Sequence, residues 1–597
     1  MPAHGYCEID FPNPAQAGRL SAVFSGPECI LTAATPGEVP ELLTRAEEYA
    51  RTGHWVIGFV AYEAALAFDA ALRTHDAEPG AVPFASFAVY RDVATSARPR
   101  GEFLSGVWRD ETPRVQFNNA VARIRHGIAE GDYYQVNYTT RLRAPFFGDG
   151  LSFFDRLRAS QPAAYCAYLD FGQWQVCSVS PELFFHWSAA ENPGRTLTCR
   201  PMKGTAARHA NPADDRAAAE TLRNSQKECA ENLMIVDLVR NDLSRVALPG
   251  SVKVPQLFSV EAWPTVWQMT STVTCRTKAA TGLREVFGAL FPCGSVTGAP
   301  KAAAMSAIRM LETSGRGVYC GAVGAIMPGG EAVFSVGIRT PVVGRLPSGE
   351  IQQGIAECGI GSGITLDSDA DSEHAEWQAK QTFLMRSCPE YELLETLRLH
   401  QGRYWLLDGH MQRLARSART LGFPFDEADV VEILQAEARR HHTGQWRTRL
   451  RLSACGEANA EALPLDAVPA APLIGLARAP VDRGNPWLRH KTTQRGLYAE
   501  LGSGQQPGIF DTLLYNQRGE LTEFTRGNLV VELDGRLLTP RADCGLLPGV
   551  FRQVLLARKR IQESLVRIED LAHANRIWFV NSVRGAVPVQ CAPQPDL

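Results

Sequence analysis

The sequence predicts a mixed α and β protein of two units, on three observations. At 597 residues the chain exceeds what one hydrophobic core supports. Through the first two-thirds, short apolar runs of strand type alternate with amphipathic helices and Pro/Gly loops. Motif density then falls around Ser387–Glu390, and a new strand-and-helix pattern begins. The boundary is placed there, giving units 1–387 and 388–597, with a motif-bearing core at 115–385.

Residues 1 to about 110 read as a sheet layer that packs against the motif-bearing core, with strands at Trp55–Ala61 and Pro83–Tyr90 and a helix at Val39–Arg51. Phe117–Glu130 is predicted helical and stopped by Gly131-Asp132. Tyr133–Tyr138 and Trp174–Ser180 are predicted strands, and Ala217–Arg245 one long helix. Gly294–Pro300 reads as a loop that places Pro300 at the first position of a helix. Gly321–Met327 and Glu331–Ile338 form a hairpin-like pair, and a glycine loop, Gly359–Gly363, precedes an acidic helix at about Ser372–Met385. In the second unit Tyr391–Leu399 is a predicted strand, His410–Leu421 and Phe551–Ile561 are predicted helices, and the Ala/Pro-rich run Glu457–Pro472 is a linker between two lobes.

Composition excludes several function classes. Net charge is −3 with no basic block, so nucleic acid has no electrostatic footprint. No run approaches the length of a membrane span and the first ten residues lack a signal pattern, which sets the expectation of a cytoplasmic protein with no membrane partner. The 14 cysteines are scattered, the closest pair being Cys166 and Cys177, too far apart for a Cys-x-x-Cys site, so reduced thiols are expected.

The chemistry centres on Arg200-Pro201-Met202-Lys203-Gly204-Thr205. A lysine between Pro and Gly-Thr reads as a turn residue, and walled off from water its amine becomes a nucleophile. Two acidic pairs, Glu228/Glu231 and Glu373/Glu376, each fall three apart on a predicted helix and so share a face. Opposed, the two faces would make the oxygen-only site that magnesium prefers. Lys380 lies one turn beyond Glu376.

Seven stretches in one order carry a resemblance: Gly131–Asn137, Ser180-Pro181-Glu182, Arg200–Thr205, Glu228–Asp242, Gly294–Lys301, Gly337–Thr340, and Gly361–Ile364 with Asp367-Ser368. Residues of roughly 115–385 resemble the chorismate-utilising enzymes. The resemblance implies an antiparallel-sheet sandwich with helices. It also implies that Arg339, Lys380, Tyr319, Thr205, Gly204 and the amides of Gly361 and Gly363 hold the substrate carboxylates. Magnesium would bridge the ring carboxylate to Glu231 and Glu376, with Glu228 and Glu373 acting through water, and Glu182 would be the general acid/base.

Two positions choose within the family. Gln135 stands where the water-adding members carry a lysine, which points to amine addition. Lys203 stands where anthranilate synthases typically have Ala and aminodeoxychorismate synthases typically have Lys. In the latter branch the lysine attacks ring C2 and ammonia then enters at C4. Gln268 departs from the His often found in the family. No glutaminase signature is present, so ammonia is expected from a separate glutamine amidotransferase subunit. The alternative is an anthranilate-type component joined to a branched-chain or D-amino-acid aminotransferase.

Residues 389–597 carry a second set: His410–Leu414, Lys491–Arg495, Thr522–Asn528, Leu547–Arg552 and Asn581–Gly585. Together they resemble the two-lobed fold-type IV pyridoxal-phosphate enzymes. By that resemblance Lys491 is the cofactor lysine, Glu523 faces the pyridine nitrogen, and Arg413, Gly549, Val550, Asn581 and Ser582 hold the phosphate. A lyase acting on the first unit's product, releasing pyruvate and 4-aminobenzoate, is the expected activity, and a homodimer through this unit the expected assembly.

Overall fold

The computed structural model describes residues 5–12, 18–78, 80–161, 164–189, 194–263, 266–346, 353–502 and 508–592. Two ten-stranded sheets stack face to face in the front part of the chain. Strand periodicity builds this sandwich: in Trp55–Val60, Val56 and Val60 point to one side, while Ile57 and Phe59 point to the other. The inner sides of the two sheets meet in a core holding Ile57, Phe59, Tyr90, Phe11, Phe24 and Leu169. Their outer sides are covered by helices, with Val39–Arg51, Gln226–Ser244 and Leu283–Leu290 on one sheet. Arg114–Glu130, Gly150–Ser160, Lys301–Leu311 and Ala370–Ser387 cover the other. Four layers result, helix, sheet, sheet, helix. The expected N-terminal layer is not separate: Tyr6–Pro12 pairs with Tyr165–Asp170 in one sheet, and Trp55–Val60 with Ala322–Ile326 in the other.

Several local expectations are corrected. The predicted long helix is two, Pro212–Asn224 and Gln226–Ser244. Ser225 is extended between them and its Oγ accepts a hydrogen bond from the Glu228 amide, so a side-chain cap replaces the helix ladder there. Lys203 lies in a strand, Met202–Ala207, whose register against Val266–Arg276 slips between Met202 and Thr205. Gly204, at φ 91°, takes up that slip as a bulge. Gly359–Gly363 lies within the strand Gln353–Ile364 rather than in a loop. Pro300 caps the helix Lys301–Leu311 from outside its first turn. Tyr133 and Tyr134 precede the strand that starts at Gln135. Within the supposed linker, Ala458–Pro464 is a strand paired with Gln445–Leu452.

The rear part has a four-stranded antiparallel sheet packed by the helices Leu407–Leu421 and Glu427–Arg440, and an eight-stranded mixed sheet. It is welded to the front. Leu104 and Phe147 of the front sheet enter the core formed by Leu397, Leu414 and Leu434. The Val107 amide donates to Leu421 O, Arg109 to Gly422 O, and the Tyr391 hydroxyl to Ser105 O.

Candidate active sites

In the front part, the strand Gln353–Ile364 organises the site. A side chain at Gly363 would place its Cβ 2.0 Å from Gln135 Nε2 and 2.8 Å from Lys203 Nζ, so both groups converge on that glycine. At Gly359 a Cβ would meet the Tyr319 ring at 2.1 Å. Four residues of strand separate the two points, roughly 13 Å. The glycines therefore form a bare backbone floor with Lys203 and Gln135 at one end and Tyr319 at the other. Gly361 and Gly363 stand opposite Thr139 and Asn137, whose amides donate instead to Glu312 and to Thr297 O. These are the non-bonded pairs of the ladder, so the glycine amides point outward. Gly361 O, facing the same way, accepts from Lys380 Nζ at 2.8 Å.

Lys203 Nζ lies 3.2 Å from Glu231 Oε2, with both side chains largely shielded from water. Its strand is pinned by side chains: Asn232 donates to Lys203 O and accepts from the Ser271 hydroxyl. Gln268 donates to Gly204 O at 2.7 Å and accepts from the Thr205 hydroxyl at 2.9 Å. Gln268 thus ties down the lysine's backbone. Gln135 is buried, and its Oε1 has no hydrogen-bond donor among the described residues.

Glu182 is buried between strands and accepts from the Ser295 hydroxyl at 2.7 Å. Burial pushes its pKa up to about 7, against the opposing pull of Ser295 and the Lys203 charge. Arg339, held at φ 50°, has a guanidinium with no ion pair among the described residues, and burial pushes it down to about 10. A cation with no anion in reach is suited to a bound carboxylate. Tyr319 is buried, and the Arg141 guanidinium lies over its ring. It lines a cavity of about 600 Å³ together with Thr340 and Gly359, which Lys203 does not line.

The four acids differ. Burial and the neighbouring Glu231 charge raise the Glu228 pKa. Burial also acts on Glu376, but the Lys380 ammonium at 2.7 Å outweighs it and holds that group low. Glu373 accepts from the hydroxyls of Ser362 and Ser368 at 2.6 and 2.7 Å. Among the described residues, no group of three or more His, Cys, Asp or Glu is gathered closely enough to hold a metal unaided. The donor set still fits a hard cation: Glu228 and Glu231 repel each other, and among the described residues this pair and Glu376 are balanced by lysine ammoniums.

In the rear part, all seven residues expected around a cofactor line one cavity of about 330 Å³ between the lobes. Burial and the Arg413 and Arg495 charges push Lys491 down to about 7. Burial pushes Glu523 up to about 7, and the Tyr498 hydroxyl donates to it at 2.9 Å. Gly549 precedes the helix Val550–Ala557, and its amide donates to the Asn528 side chain, which in turn donates to Leu547 O. Asn581 accepts from the amides of Val583 and Arg584. Arg413 is held by Glu395 through two hydrogen bonds, at 2.6 and 2.8 Å, and His410 binds the same carboxylate. Tyr498 and Glu395 were not singled out by the sequence, because each meets its partner from a separate element with no spacing to mark it. A buried lysine facing a buried acid beside a helix N-terminus fits pyridoxal phosphate.

Residues 96–386 match the family described as chorismate binding enzyme, and residues 392–591 the family described as amino-transferase class IV. The chain thus carries a front segment similar to chorismate binding enzymes, followed by a rear segment similar to class IV amino-transferases. The chain is 40% identical over 273 residues to aminodeoxychorismate synthase component 1 of Salmonella typhimurium, covering 46% of this chain and 57% of that one. It is 37% identical over 270 residues to anthranilate synthase component 1 of Streptomyces coelicolor, covering 45% and 50%. The chain therefore spans just over half the length of the first of these curated relatives and half that of the second. The solved anthranilate synthase component I of Streptococcus pneumoniae shares the fold, with a TM-score of 0.50 at 24% identity over 64% of this chain and 92% of that one.

Proposed function

We propose that the chain converts chorismate to 4-aminobenzoate, its front unit placing an amine on ring C4 and its rear unit removing pyruvate. The observation that carries this reading is the Lys203 amine at 3.2 Å from Glu231, beside Gln135 and the bare backbone of Gly363.

Arg339, Lys380 and the outward amides of Gly361 and Gly363 bind and orient the two substrate carboxylates, Thr205 joins them by turning its hydroxyl away from Gln268, and Tyr319 closes the far end of the floor. Glu231 and Glu376 would hold magnesium, with Glu228 and Glu373 acting through water, and the ion would polarise the ring carboxylate. After its ammonium proton is lost, the Lys203 amine forms a bond to C2 while the C4 hydroxyl leaves as water, Glu182 donating the proton the hydroxyl needs and then taking the one the bonded lysine nitrogen sheds. Ammonia then forms the C4–N bond, the C2–N bond breaks, and the proton shed by the new amine returns to Lys203. The orphaned Gln135 Oε1 offers the incoming ammonia an acceptor. Ammonia comes from a separate glutamine amidotransferase subunit.

In the rear unit, Lys491 would anchor pyridoxal phosphate and Glu523 would meet its ring nitrogen, while Arg413, Val550, Asn581 and Ser582 would hold the phosphate; the Gly549 amide, expected there too, is instead taken by the Asn528 side chain. When bound, the cofactor supplies an electron sink. Lys491, titrating near neutrality, takes the proton from ring C4 as the C3–O bond breaks and the side chain departs as pyruvate. The test is to supply chorismate, ammonium, magnesium and pyridoxal phosphate and identify the aromatic product. 4-Aminobenzoate with one pyruvate per turnover is expected; 2-aminobenzoate would overturn the reading.

A further inference from the structure

The rear cavity holds more positive charge than its cofactor residues account for. Six arginines and Lys491 line it, against the single carboxylate of Glu523. Arg413 is neutralised by Glu395 and Arg526 by Asp511. Arg447 and Arg449, however, have no carboxylate partner among the described residues, and the buried Arg447 Nε has no hydrogen-bond acceptor. Both project from the strand Gln445–Leu452, two residues apart and so on one face. From the opposite lobe comes Arg584, which donates to Asp466 O and which burial and the nearby Arg526 and Arg447 charges, outweighing the Asp466 carboxylate, push below its ordinary range. An anion entering between these cations relieves their mutual repulsion.

We propose that Arg447 and Arg449, with Arg584 facing them, form a carboxylate clamp that selects substrates carrying two carboxylates for the rear site. The inference rests on the reading of that site as a pyridoxal-phosphate lyase and names what it recognises. A branched-chain or other monocarboxylic amine would leave part of the cluster unpaired and be bound weakly for that reason. A ring amine that keeps both carboxylates of chorismate would fill it. Cleavage then places one carboxylate on the aromatic product and the other on pyruvate. Neither fragment spans the clamp, so both are released more readily than the substrate.

The test uses the full chain loaded with pyridoxal phosphate, with shifts of the visible cofactor band as the readout. The probes are 5-aminoisophthalate, with two carboxylates, and 3-aminobenzoate, with one. Wild type should bind the dicarboxylate about 10-fold or more tightly than the monocarboxylate. Arg447→Gln and Arg449→Gln should each lose most of that preference while keeping the cofactor band and the affinity for 3-aminobenzoate. Equal affinity of wild type for the two probes, or variants that keep the wild-type preference, would overturn the clamp. Because the readout needs no turnover, a rear site that releases no pyruvate yet shows this preference sinks the lyase reading and leaves the clamp standing.

Discussion

Glu182 is the residue on which the proton arithmetic of the proposed front reaction turns. Its pKa, raised to about 7 by burial, leaves the carboxyl protonated below that value and able to donate. The limb of the kcat/KM profile that reports this acid should therefore fall as pH rises through about 7. Glu182→Gln should keep the fold but lower kcat by about 10²–10⁴, measured with saturating ammonium. The residue types of the site were legible from sequence because each belongs to a motif. Their partners were not. Gln268, standing where the family often has His, turns out to hold Gly204 and Thr205 in place, and only the register of two strands brings those groups together.

At the scale of elements, the strand Gln353–Ile364 matters most, and the sequence concealed it. Three glycines in five residues read as a loop, since glycine is poor in strands. Here their bareness is what the packing needs: Tyr319, Thr139, Gln135 and Lys203 all lie where side chains would be. Gly363→Ala should thus retain the circular dichroism of the wild type and lose the front activity, because a methyl would displace Gln135 and Lys203 together. The helix break at Ser225 was equally hidden, because serine within a helical run carries no mark of whether it will cap.

In the rear unit, the strand Leu393–His400 and the helix Leu407–Leu421 are bolted together by Glu395, which His410 and Arg413 hold well below the usual carboxylate range, at about 2, despite its burial. A depressed folded-state pKa gives stability that is present above the unfolded value near 4.5 and lost as pH falls toward 2. Glu395→Gln should destabilise the rear unit by roughly 3–5 kcal/mol at neutral pH and flatten its acid melting between those values, followed by thermal denaturation.

For the whole molecule, the two units share a core. Leu104 belongs to the front sheet yet packs with Leu397, Leu414 and Leu434 of the rear. Leu104→Ala should cost roughly 2–5 kcal/mol and lower the temperature at which the cofactor band of the rear unit is lost, although Leu104 does not line the rear cavity. A boundary near residue 388 was visible as a fall in motif density, but not this shared core, since Leu104 and Phe147 are ordinary apolar strand residues in sequence. The front architecture likewise weaves its first strands into both sheets, a long-range pairing that no local pattern announces. In the proposed reading both chemistries reside in one welded body, and the first of them rests on a single amine. The measurement that tests it most directly is the aromatic product formed from chorismate and ammonium by Lys203→Ala beside wild type, resolved by chromatography and mass. A covalent role for the lysine predicts 4-aminobenzoate from wild type, and from the variant none, with any residual amine at ring position 2. Undiminished 4-aminobenzoate from Lys203→Ala would contradict it.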